Sequence, residues 1–381
     1  MKKILSTACV VLLASCNSNE QTSADCLKLP ELQTFTNKNP HEVRTVVFDN
    51  DPSEVKNVIL LIGDGMGQTV VSSAWVANGR QLYMTNAPVQ GISVTTAHDN
   101  IITDSAAGAT AMATGQKTNV GYVGVTPQGE PLPTLNELAK KAGKSTGIIS
   151  TCRIVDATPS AFAIKNTDRD ASEDIALSYL DTEIDFILGG GQNFFNKRKD
   201  GQNLLPKITE NGFQLLTDTL VSSLHSDKVF ALVAPHDMPK ASERGDLLAT
   251  SALKALEILS KNENGFFLMV ESAMIDDYGH WNEFGNMMEE TLDFDRSIGR
   301  IAEWAAEHPG TLVIVTADHA TGGLALHSGE PKGHTVTAGF SSKKHDGVWV
   351  PVYAFGSGAE AFSGMYENTE LFHKIREAAG F

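Results

Sequence analysis

Val58-Ile59-Leu60-Leu61-Ile62 is apolar at every position, as are Phe266-Phe267-Leu268-Met269-Val270 and Leu312-Val313-Ile314-Val315. A strand with one wet face alternates in polarity. Unbroken runs of this length predict strands buried on both faces, as in a parallel sheet covered by helices. Thr146 to Thr151, Asp185 to Leu188 and Val350 to Phe355 read as further strands. Elsewhere the apolar spacing changes to three and four residues. It predicts helices over Thr69 to Asn78, Leu135 to Ala142, Asp246 to Ser260, Glu283 to Glu307 and Thr369 to Ala379. The expected fold is α/β, three layers deep, with a largely parallel central sheet. Residues from about 190 to 244 are more polar and weaker in pattern, and are expected to form a small insertion at the rim of that core.

The N-terminal stretch has a different pattern. Lys2 and Lys3 precede the apolar run Ile4 to Ala14, and Leu13-Ala14-Ser15-Cys16 supplies a small-residue cleavage site. A cysteine directly after those residues has the lipobox pattern, so residues 1–15 read as a lipoprotein signal peptide and Cys16 as the lipidated N-terminus. An ordinary secretory signal with an incidental cysteine is the other reading. The run is too short to span a bilayer. The chain is therefore expected to be exported to the periplasm or cell envelope and to meet the membrane through lipid on Cys16. Residues 16–50 are rich in Asn, Ser, Thr, Glu and Gln and read as a flexible tether, leaving 51–381 as the functional domain. Cys26 and Cys152 could pair in an oxidising compartment, although Cys26 lies in the tether. A net charge of −16 argues against nucleic acid as a partner.

Thr103-Asp104-Ser105-Ala106-Ala107-Gly108-Ala109-Thr110 is too small in its side chains for an ordinary core helix and too apolar for a loop. It reads as a strand-to-helix junction with Ser105 near the helix N-terminus, where backbone N–H groups favour an anion. The alternative is that Ser105 only caps the helix. The three apolar strands decide how much weight the serine carries, because each ends in acids or imidazoles. Asp64 stands within Gly63-Asp64-Gly65-Met66-Gly67. Glu271 follows the second strand, with Asp276 and His280 beyond it at i and i+4. Asp318 and His319 follow the third. Ligands in open α/β sheets bind at the carboxyl ends of strands. Buried acids gathered there need cations or hydrogen bonds. Histidine with aspartate suits zinc, and an all-oxygen set of Asp, Glu and Thr suits magnesium.

These motifs resemble the alkaline phosphatase family over nearly all of the chain from about residue 55. The matching segments are Gly63 to Gly67, Asp104-Ser105-Ala106-Ala107, Asp156-Ala157-Thr158-Pro159, Glu271 through His280, Thr316-Ala317-Asp318-His319 and His345-Asp346-Gly347. The resemblance implies metal-dependent hydrolysis of a broad range of small phosphate monoesters through a phosphoserine on Ser105. It implies one zinc held by Asp276, His280 and His345, and a second held by Asp64, Asp318 and His319. It places one magnesium with Asp64, Thr158 and Glu271, and Asp156 in its outer shell. Arg169 stands at the family's separation from Asp156 and is assigned to clamp phosphate. A surface arginine between Asp168 and Asp170 is the alternative for it. His334 is the runner-up to His345. Phosphodiesterases and sulfatases on this scaffold, and a non-catalytic phosphate- or metal-binding lipoprotein, are the competing readings.

Two positions depart from the family pattern. Asp277 follows the ligand Asp276 where relatives carry Lys or His, and is expected to loosen phosphate by like-charge repulsion. Thr321 stands where relatives place a histidine, which puts one contact behind the metal ligands in doubt. Family members are commonly homodimers, but these residues carry no interface signal.

Overall fold

The computed structural model describes residues 31–48, 54–330 and 332–381. The expected signal peptide, Cys16 and Cys26 lie outside the described residues. Ten strands form the central sheet, in the spatial order Gly364–Glu367, Val89–Val94, Val350–Gly356, Thr311–Thr316, Asn57–Gly63, Phe266–Ser272, Ser145–Arg153, Phe186–Gly190, Val229–Leu232, Gln214–Leu216. Every neighbouring pair is parallel except those of Val350–Gly356, which runs antiparallel to both its neighbours.

The unbroken apolar runs sit where both faces are covered. Along Asn57–Gly63 successive side chains point to opposite faces. Ile59 and Leu61 join one core with the helices Gln68–Ala77, Leu247–Leu259 and Phe284–Ala306. Val58, Leu60 and Ile62 join the other with Ser105–Thr114, Leu135–Lys141, Ala157–Ala163 and Thr369–Ala379. Each of these five strand residues is fully buried, worth about 1.5–3 kcal/mol apiece.

Two expectations need correction. The stretch 190–244 is part of the sheet rather than an insertion at its rim: Gln214–Leu216 and Val229–Leu232 extend the central sheet at its edge. Val229–Leu232 is buried at all its positions, but four residues between polar loops are too few to show a period. The tether also ends earlier than residue 50. Leu32–Thr36 pairs antiparallel with Thr335–Phe340, which pairs in turn with Leu324–Gly329. Thr34 and Thr36 share hydrogen bonds with Thr337 and Thr335 at 2.8 and 3.1 Å, and Phe35 packs on the core. Threonines that composition assigns to a soluble linker thus serve as strand formers. Among the described residues no helix is long and apolar enough to cross a membrane.

Candidate active site

Thr311–Thr316, Asn57–Gly63 and Phe266–Ser272 are adjacent and parallel, so their carboxyl ends open on one side. Asp64 comes directly after its strand, Glu271 is in register with Ile62, and Asp318 lies just past Thr316. The Gly65 amide donates to Asp318 Oδ1 at 3.2 Å, stitching two of these ends together. Gly65 has φ +70°, and a Cβ there would lie 2.8 Å from both Cα and Oδ1 of Asp276. Gly65→Ala should therefore cost about 1–3 kcal/mol of strain and push Asp276 off its place. Thermal unfolding and metal content check this, and a variant with unchanged values of both would contradict the packing argument.

The helix Ser105–Thr114 begins under Asp104, whose backbone is extended and whose side-chain Oδ1 accepts from the Ala107 amide at 3.0 Å. Asp104 is the cap, so the Ser105 side chain is not used for capping. All ten helix residues are buried. Their small side chains let the helix pass close to its neighbours: a Cβ on Gly108 would sit 3.1 Å from the Asp318 carbonyl. Ser105 is only 3% exposed, and its Oγ is 3.2 Å from His319 Nε2.

His319 Nε2 in turn lies 3.2 Å from Asp318 Oδ2 and 3.4 Å from Asp64 Oδ1. On the other side of His319, Nδ1 is 3.9 Å from Asp276 Oδ1. Asp276 and His280 occupy successive turns of Met274–Trp281, with His280 Nε2 3.1 Å from Asp276 Oδ2. His345 Nε2 completes that group, 3.0 Å from His280 Nε2 and 3.6 Å from Asp276 Oδ1. His334 is elsewhere, against the Ala77 carbonyl at 3.2 Å. Thr158 Oγ1 donates to Asp64 Oδ2 at 3.4 Å. Glu271 accepts a short hydrogen bond from Ser150. Arg169 Nη1 binds Asp104 Oδ2 at 3.0 Å and its Nη2 binds Asp156 Oδ1 at 3.3 Å. Asp277 lines the same cleft as Ser105, Asp156, Arg169, Asp276, His280 and His345. At Thr321 a hydroxyl takes up the contact, donating to Asp276 and standing 3.2 Å from His319 Nδ1.

Burial and the neighbouring carboxylates of Asp318, Asp276 and Glu271 push the Asp64 carboxyl well above its ordinary range. Burial raises Glu271 to about 8 and Asp318 to about 6. Burial also pushes Asp276 up, but hydrogen bonds from His280 and His345 outweigh it and hold that carboxyl well below the usual range. The Asp276 hydrogen bond raises His280 to about 9, whereas burial lowers His319. Asp64 Oδ1 and Asp318 Oδ2 are buried and have no hydrogen-bond partner among the described residues. Buried like charges and orphaned acceptors are costly unless a cation joins them. The donor atoms of Asp64, Asp318 and His319, and those of Asp276, His319 and His345, converge within 4.8 Å in each group. Nitrogen with carboxylate oxygen is a zinc-type donor set, while Asp64, Thr158 and Glu271 offer oxygen donors alone, the type magnesium takes. The residues fit divalent cations.

The sequence reading gave no role to Asp104, Ser150, Arg153 or Asp237. Only Asp104 carried a signal, since it immediately precedes Ser105 at a helix start. The other three depend on partners far along the chain.

This arrangement has relatives. The family described as alkaline phosphatase matches residues 55–336. Alkaline phosphatase 4 of Bacillus subtilis (strain 168) is 32% identical, covering 84% of this chain and 88% of its own. The streptomycin-6-phosphate phosphatase of Streptomyces griseus is also 32% identical, covering 88% and 93%. Alkaline phosphatase from the Antarctic bacterium TAB5 has a structure similar at TM-score 0.81 and 34% identity, covering 86% of this chain and 98% of that one. A variant of that enzyme, at TM-score 0.82 and 35% identity over 86% and 99%, was solved with magnesium bound in its M3 site. The chain belongs to the alkaline phosphatase family and is a metal-binding hydrolase of phosphate monoesters.

Proposed function

We propose that Ser105 is the nucleophile of this hydrolase and carries the phosphoryl group as a phosphoserine. The observation that carries this reading is the 3.2 Å approach of Ser105 Oγ to His319 Nε2, beside two buried carboxylate oxygens that lack partners. Asp276, His280 and His345 would hold one zinc, Asp64, Asp318 and His319 a second, and Asp64, Thr158 and Glu271 a magnesium with Asp156 outside it. When bound, these ions supply the charge that lowers the pKa of the hydroxyl and stabilises the oxygens of an in-line displacement.

The chain's own residues do the rest. The N-terminus of Ser105–Thr114 aims backbone dipoles at the phosphoryl oxygens. Arg169 presents a planar fork to two of those oxygens, held in place by Asp104. Ser105 Oγ attacks phosphorus and releases the alcohol; attack by water on the phosphoserine then frees phosphate and restores the hydroxyl. The cleft, about 300 Å³, is lined mainly by charged and polar side chains that address the phosphoryl group, which supports a broad range of small phosphorylated metabolites as substrates. Lys2, Lys3, the apolar run after them and Cys16 support export and a lipid tether.

The experiment is turnover of p-nitrophenyl phosphate with and without chelator, beside bis-p-nitrophenyl phosphate and p-nitrophenyl sulfate. Hydrolysis of the monoester alone, lost with chelator and restored by zinc and magnesium, is expected. Preference for the diester or the sulfate would overturn the reading.

The metal-free protein should also lose stability between about pH 7 and 9. In that window His319 is neutral both folded and unfolded. Glu271 and His280 still titrate, with folded values of about 8 and about 9. Both are raised by folding, so their contribution is full at low pH and falls as pH rises through those values. Bound cations remove the carboxylate part of that loss. The melting-temperature gap between metal-loaded and chelated protein should widen from pH 7 to 9, and a gap that narrows would contradict the assignment of these groups.

A further inference from the structure

One wall of the catalytic cleft holds a second guanidinium. Arg153, Asp156 and Asp277 line the same cavity as Ser105 and Arg169. Asp156 stands between the two arginines, with Oδ1 3.3 Å from Arg169 Nη2 and Oδ2 2.8 Å from Arg153 Nη2. Arg153 is anchored from behind: its Nη1 lies 3.3 Å from Asp237 Oδ1, and its backbone N–H donates to the same oxygen at 2.9 Å. Asp237 is fixed in turn, because the next residue, Met238, donates its amide to the Thr151 carbonyl at 2.9 Å.

Cys152, Asp156 and Asp237 bring donor atoms within 4.8 Å of one another, which could suggest another metal. The cation between the two carboxylates is already Arg153, and burial keeps the Cys152 thiol protonated. The cluster is an arginine clasp.

Arg169 faces two carboxylates, Asp104 and Asp156. If both engaged it fully, little of its fork would remain for phosphate. Arg153 takes the other oxygen of Asp156 at the shorter distance and shares the cleft wall with Asp277. We propose that Arg153 is a positioning residue for phosphate, drawing Asp156 off Arg169 and offsetting the extra carboxylate of Asp277. Asp277 then loosens phosphate less than its charge alone implies. The inference rests on the reading of Arg169 as the phosphate clamp.

The test uses the full chain loaded with zinc and magnesium, with inorganic phosphate as inhibitor and p-nitrophenyl phosphate as substrate. Loss of one half-buried ion pair should raise Ki and KM of Arg153→Gln together by about five- to tenfold, while kcat falls by less than about threefold, the pattern of lost uniform binding. Arg153→Lys should recover most of the affinity. In Arg153→Gln/Asp156→Asn the Ki should return to near the parent value, because the carboxylate that would seize Arg169 is gone; a merely structural Arg153 gives no such rescue. Asp156→Asn alone, compared at parent magnesium content because Asp156 is assigned to that ion's outer shell, should lower the Ki, and this arm stands even if Arg153→Gln fails to fold. A Ki for Arg153→Gln within twofold of the parent, an absence of rescue, or an unchanged Ki in Asp156→Asn would each overturn the proposal. Arg169→Ala in the same assay should raise the Ki more than tenfold. If it does not, the clamp reading has failed. If it does and Arg153→Gln has no effect, only the role of Arg153 falls.

Discussion

Replacing Ser105 by alanine is expected to lower kcat for p-nitrophenyl phosphate by at least about 10⁴-fold, the scale seen when a covalent nucleophile is removed. The fold should tolerate the change. The helix takes its cap from Asp104, alanine is the better helix former, and among the described residues the Oγ atom hydrogen-bonds only to His319. Metal content should stay at the parent level, since the cations are assigned to side chains other than the serine. Loss of activity with metals retained separates a nucleophile from a structural serine. Activity within tenfold of the parent would mean that water attacks the ester directly.

Asp64→Asn should have the second large effect, and by a different route. One Asp64 oxygen lies 3.4 Å from His319 Nε2 and the other 3.4 Å from Thr158 Oγ1, so this single carboxylate borders both the zinc-type and the magnesium-type donor sets. An amide offers one neutral oxygen where two charged ones stood. Activity is expected to fall by at least about 10³-fold, comparable to loss of a preorganised electrostatic group, and metal analysis should show ions missing from both sets. Folding itself should improve in the absence of metal, because burial beside Asp318, Asp276 and Glu271 penalises the ionised form of Asp64. A chelated variant that melts below the chelated parent would contradict this, as would a variant that keeps its full metal content.

The strand mouths were legible because the physics there is local. An unbroken run such as Val58 to Ile62 can only be a doubly covered strand, and an acid directly after it can only lie at the sheet's open end. Ser105 was legible from the smallness of its neighbours, a property that survives without any partner being known. His345 rested on motif order rather than on pattern; in the fold it reaches His280, while His334 sits against Ala77. What stayed hidden depends on distant pairing. Ser150 matters only because Phe266–Ser272 lies beside its strand and brings Glu271 across from it. Asp237 and Arg153 meet across 84 positions, and neither has a neighbour in sequence that marks it. The strands Leu32–Thr36 and Val229–Leu232 were lost for a related reason: short strands take their order from the sheet they join.

We propose that the Ser105 hydroxyl becomes reactive through divalent cations held at these strand ends. Acid quenching during turnover, followed by mass spectrometry of the peptides, tests it most directly. Metal-loaded enzyme should yield phosphate on Ser105, and chelated enzyme should yield none until zinc and magnesium are returned. Phosphate on Ser105 at equal level in chelated enzyme, or turnover by metal-loaded enzyme with no phosphopeptide at that serine in rapid-quench samples, would contradict the account.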